Sequence, residues 1–122
     1  MISLADLGSM ESRVNASLAR FRAELKFSKH FVHLRLNDPR NIPPLALAEL
    51  EDVWHRFIAQ HIHVVLALPD HETFNIRCLQ TAINIPCELR TTKATAIRQI
   101  VAITVMRNPT FFSKDRYDFH VR

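Results

Sequence analysis

The chain has 122 residues, 48 % of them hydrophobic and 23 % charged, with a formal net charge of +4. That length suits one hydrophobic core and falls short of two ordinary domains, so a single domain over residues 1–122 is expected. The apolar share excludes a disordered chain, and no run approaches the roughly 20 apolar residues that span a bilayer.

The one glycine, Gly8, excludes glycine-built phosphate loops and dinucleotide fingerprints. Met1 to Leu7 carries neither the basic stretch nor the unbroken apolar stretch of a secretory signal. Cys78 and Cys87 are therefore expected as free, buried thiols in a reducing cytoplasm. A mildly basic domain is compatible with a polyanionic partner, since Lys and Arg neutralise phosphates and release counterions.

In chain order, Met10, Val14, Leu18, Phe21 and Leu25 recur at spacings of three and four, which predicts a helix over Ser9 to Lys26. Ser28 is placed to cap a second, short helix running to about Leu36. Asn37 to Asn41 reads as a loop from its turn formers. Pro43 and Pro44 suit a helix entry, so a third helix is expected from near Pro44 to about Gln60, striped by Leu47, Leu50, Val53, Trp54 and Phe57.

The period then changes. His61 to Leu68 reads as a strand and Pro69 to Glu72 as a turn. Thr73 to Leu79 and Ile83 to Arg90 alternate, and Pro86 assigns the second of these to a sheet edge. Ile97 to Arg107 is nearly continuous apolar, as in a central strand, and Arg116 to Val121 offers a last short one. The expected fold is α+β: two or three N-terminal helices packed on one face of a four- to five-stranded, mainly antiparallel sheet. Arg77, Lys93, Arg98 and Arg107 are expected on its open face.

The acidic residues are scattered, so histidines are the natural carriers of chemistry, able to take and give a proton near neutral pH. Metal-independent RNA cleavage needs both roles. A base withdraws the 2′-hydroxyl proton, an acid protonates the departing 5′-oxygen, and cations stabilise the charge on phosphorus.

The segment Leu25-Lys26-Phe27-Ser28-Lys29-His30, followed by an apolar helical stretch, resembles the LKYSQH segment of the bacteriophage RegB-type endoribonucleases. Asp52-Val53-Trp54-His55-Arg56-Phe57, followed by His61, is similar to their ELFHKI segment. The likeness covers residues 21 to 65. It implies a fold of the RelE/YoeB toxin group and cleavage of mRNA without a metal or cofactor, leaving a 2′,3′-cyclic phosphate. By position, the essential histidines of the family fall on His30 and His55, with the base and acid roles between them unassigned. The family also carries an arginine four residues after the first histidine. Here that position is Leu34, and Arg35 follows it. On a regular α-helix one residue turns a side chain by about 100°, so Arg35 reaches the phosphate only if the helix is irregular.

The remaining candidates each have two readings. Arg56, beside His55, is a substrate contact or a solvated charge. Arg77, Arg98 and Arg107 line an RNA groove or solubilise the open face. His61 and His63 alternate on the expected strand with His71 nearby, yet zinc needs three or four converging ligands, so no metal is expected. His33 and His120 are expected on the surface. Phe111, Phe112 and Tyr117 stack on bases or plug the core. The leading expectation is an mRNA endoribonuclease of phage or mobile-element origin, acting in the host cytoplasm. Its rival is a non-catalytic protein of the same fold that binds RNA, the ribosome or a host protein.

Overall fold

Ser3 opens the first helix, its side-chain oxygen accepting from the Asp6 amide 3.1 Å away. In the computed structural model, which describes residues 1–122, this helix α1 spans Leu4–Leu18 and buries Leu7, Met10, Val14 and Leu18. It starts earlier and stops sooner than the apolar spacing predicts. A single 3-10 turn and a left-handed Arg22 (φ 55°) break it, and the chain enters strand β1, Ala23–Phe27. Leu25 fits both periods: it lies four residues after Phe21, and it alternates with Ala23 and Phe27. Sheet pairing decides between them, because β1 aligns parallel with Arg98–Ala102 and buries Ala23, Leu25 and Phe27 on one face.

Helix α2 spans Leu47–Leu66, so the expected strand at His61 to Leu68 is instead its last turns. Phe57, Ile58, Ile62 and Val65 continue the buried stripe at helical spacing, and packing overrides the β preference of the Ile and Val residues. Phe57 stacks on Phe74 and meets Phe119 edge-on, joining the helix to the sheet. Each fully buried side chain of this size contributes roughly 1.5–3 kcal/mol.

The sheet runs in the order β1, β4 (Arg98–Ala102), β3 (Ile83–Thr91), β2 (Thr73–Cys78), β6 (Tyr117–Val121), with the two-residue β5 (Met106–Arg107) also on β3. Pairings within β4–β3–β2 and β5–β3 are antiparallel, while β1–β4 and β2–β6 are parallel. The architecture is α+β, with the helices against an open mixed sheet. β3 is the central strand, although Pro86 argues for an edge. The Pro86 carbonyl accepts from Ile103 at 2.9 Å. On that side the neighbour changes from β4 to β5, so the missing N–H falls at the break and costs no ladder bond.

Both outer borders are covered by side chains. Asn15 of α1 accepts from the Leu25 amide at 2.6 Å and donates to its carbonyl at 3.2 Å. At the other border Gln60 of α2 exchanges two hydrogen bonds with the Arg122 backbone, and His61 bonds the His120 carbonyl at 2.7 Å. Cys78 and Cys87 are free and buried, and burial pushes the Cys87 thiol well above its usual value. No helix is long and apolar enough to cross a membrane.

Candidate functional site

Ser28 sits where β1 ends and the next helical segment begins, and its hydroxyl has two tasks. It accepts from the Phe31 amide at 3.0 Å, capping the segment as expected, and donates to the Ile103 carbonyl at 2.6 Å. One side chain thus sets the position of His30 against the chain from Thr104 to Asn108.

The capped segment is a π-helix over Phe31–Arg35, closed by the Leu36 amide on the Phe31 carbonyl at 2.9 Å. Its wider turn brings residues five apart, not four, into line. Arg35 Nε donates to His30 Nε2 at 3.1 Å. The irregular helix therefore brings Arg35 to His30 across five residues. Because Nε2 accepts this bond, the proton of the neutral ring is assigned to Nδ1.

Arg35 Nη1 also reaches Asp38 at 3.2 Å, and Asp38 holds Arg40 Nη2 at 2.7 Å. Asp38 forms an Asx turn besides, accepting from the Arg40 amide at 2.9 Å. Its side chain is 13 % exposed, against 34 % for Arg35 and 72 % for Arg40, so the cations face solvent and the carboxylate lies behind them. Two guanidiniums on one carboxylate leave a positive surplus. These residues, with His30, Asn41 and Asn108, line a cleft of about 460 Å³.

Arg107 borders the same cleft, yet its donors serve the fold. It is 7 % exposed and bonds Glu49 Oε1 at 2.5 Å, with further bonds to the carbonyls of Pro43, Pro44 and Thr81. Its guanidinium holds the Glu49 carboxyl below the usual carboxylate range. Its backbone amide donates to Asn41 Oδ1 at 2.8 Å, so β5 and the 35–49 connection are fastened together.

The other sequence candidates lie elsewhere. Arg98 donates to the Leu66 and Leu68 carbonyls and caps the end of α2. Arg77 is bonded to Asp118 and to the Phe111 carbonyl. Arg56 pairs with Asp52 and Gln80 on the outside of α2. Of the five arginines expected at the substrate, Arg35 and Arg107 reach the cleft, and only Arg35 presents its charge to it.

His55 does not share the cleft with His30. It lies on α2 toward α1, 3.3 Å from Glu51, and lines a separate shallow groove with Ala16, Ser17 and Arg20. Glu51 in turn accepts three bonds from Arg13, which hold its carboxyl below the usual range. The two imidazoles expected to flank one phosphate are thus assigned to different surfaces.

The remaining histidines diverge. His61 packs on Phe57 and Phe119, and His63 meets Phe21 edge-on, because successive helical positions point apart. His71 sits on the turn after α2 between Asp70 and Glu88. His33 and His120 are exposed. The residues that the sequence reading missed are Asp38, Arg40, Asn41, Thr104 and Asn108; the Asp and Asn turn formers of the 37–41 loop were their one visible sign.

No protein-family model matches this chain, and searches of curated proteins and of solved structures return no match.

Proposed function

We propose that the chain is an RNA-directed protein of the host cytoplasm that takes a phosphodiester into the cleft at His30, and cleaves it slowly without a metal. The observation that supports this is the His30–Arg35 contact across the π-helical turn, with Arg40 beside it. Guanidiniums suit phosphate because their forked donors match its oxygens. A phosphate entering the cleft competes with Asp38 for Arg35. Once Arg35 turns to the phosphate, the Nε2 lone pair of His30 is free to accept the 2′-hydroxyl proton. The 2′-oxygen then attacks phosphorus, the bond to the 5′-oxygen breaks, and a cyclic phosphate forms.

With one imidazole at the cleft, water protonates the leaving oxygen. A second positioned proton donor is worth roughly 10² to 10⁴ in rate, so turnover is expected well below that of a two-imidazole enzyme. The test is end-labelled single-stranded RNA incubated with the protein in EDTA. Products ending in 2′,3′-cyclic phosphate, absent with His30→Ala, support the reading; cleavage that needs a divalent metal, or that survives His30→Ala, removes it.

The separation of His55 from His30 favours a second reading, in which the same cleft holds RNA without cutting it. Salt-sensitive binding of intact RNA that Arg35→Ala weakens, with no cyclic-phosphate product, would select that reading.

A further inference from the structure

Phe112 is 89 % exposed, on a loop that begins in the cleft at Asn108. An exposed phenylalanine on a floppy tip would carry no argument, but this tip is braced on both sides. Asn108 Oδ1 accepts from the Thr110 amide and hydroxyl, and the Asn108 carbonyl accepts from the fully buried Asn84. Arg77 donates to the Phe111 carbonyl at 2.8 Å. On the far side Asp115 accepts from Thr73 at 2.8 Å and from Ser113 at 3.2 Å. The ring is therefore held out in water by a fixed backbone, and its ordering cost is met before any ligand arrives.

Its surroundings carry a sign. Lys114 and Arg116 are exposed on the same loop, while Asp115, the one acid between them, is tied down by Thr73 and Ser113. A presented aromatic face with two exposed cations, Lys114 and an Arg116 that lies over the Tyr117 ring at 5.4 Å, has the composition of a stacking platform for single-stranded nucleic acid, where every base offers a π-face and the cations follow the backbone. Phe112 lies four positions beyond Asn108, a reach of at most about 14 Å, which a few nucleotides of single strand cover.

Building on the RNA reading of the His30 cleft, we propose that Phe112 is a base-stacking residue for an unpaired nucleotide flanking the phosphate held there. It fixes which stretch of strand enters the cleft, and it prefers single-stranded RNA, because paired bases do not offer their faces.

The experiment measures affinity for a single-stranded RNA oligonucleotide carrying one 2-aminopurine, using wild type, Phe112→Ala, Phe112→Leu and Phe112→Trp. Stacking predicts quenching on binding by wild type. It also predicts affinity about 5- to 150-fold weaker for Phe112→Ala, weak binding by Phe112→Leu, and restoration by Phe112→Trp. Unchanged melting of all variants is expected from the exposure of the ring. If wild type binds the oligonucleotide and Phe112→Ala binds it equally, or Phe112→Leu matches wild type, the stacking role is overturned while the cleft stands. If wild type does not bind RNA at all, the reading of the cleft has failed, and with it this one.

Discussion

His30 and His55 are the same residue type, some two dozen positions apart, in opposite electrostatic settings. His30 has a guanidinium on its ring nitrogen and opens on a cleft with surplus positive charge. His55 has a carboxylate on its ring nitrogen, itself anchored to Arg13 across the helix pair. An incoming phosphate is drawn to the surplus charge at the first, whereas at the second Glu51 stands on the ring nitrogen and Arg13 is already engaged with Glu51. The residue's neighbours, more than its identity, decide which histidine can serve a polyanion.

The largest separation of the two is expected in catalysis. His30→Ala should lower metal-free RNA cleavage by about 10²- to 10⁴-fold, the worth of one proton-transfer group. His55→Ala should leave the rate near that of wild type. Equal losses in cyclic-phosphate assays would break the comparison by showing that both rings serve one reaction. Next comes the wall of the cleft. Arg107→Ala should cost about 3 kcal/mol in urea unfolding, since it strips Glu49 of its partner in a largely buried pair and leaves three carbonyls without a donor. Arg56→Ala, on an exposed pair, should change stability by less than about 1 kcal/mol.

A smaller contrast lies in salt dependence. Arg35→Ala should weaken RNA binding across all sequences and reduce the slope of log K against log salt by about one, while Arg98→Ala should leave that slope unchanged. The smallest contrast is in pH. The hydrogen bonds from Arg107 and Arg13 lower the carboxyl values of Glu49 and Glu51 in the folded chain. Their stabilisation is therefore complete above the ordinary value near 4.5 and is lost as pH falls through the lowered folded values. Melting curves from pH 6 to pH 3 should show this loss in wild type, and Arg13→Ala should lessen it slightly, because that pair is half exposed.

The fold class, the cap at Ser28 and the strands near Thr73–Cys78, Ile83–Thr91 and Tyr117–Val121 were legible because their local preferences and their tertiary partners agree. The single strand expected over Ile97 to Arg107 is instead broken into β4 and β5, which pair with different parts of β3. Three other features were not legible. Leu25 satisfies helical and strand spacing together, and the choice is made by β4, which lies more than seventy residues away. The end of α2 is rich in residues that favour strands, and the sheet beneath it makes them helical. Pro86 reads as an edge residue, but the change of neighbour from β4 to β5 beside a central strand cannot be read from spacing. In the site, His30 and Arg35 were visible as residues, whereas the π-turn that joins them has no periodic signature. Asp38, Arg40 and Asn108 come together only after the chain folds.

Asn15, Gln60 and His61 occupy hydrogen-bonding positions along the two flanks of the sheet. A further copy of the chain seeking to extend the ladder would first have to displace those amide and imidazole groups, and the helices that carry them. Growth by adding strands, the route to open-ended fibrils and to β-linked pairs, is thereby obstructed at either flank.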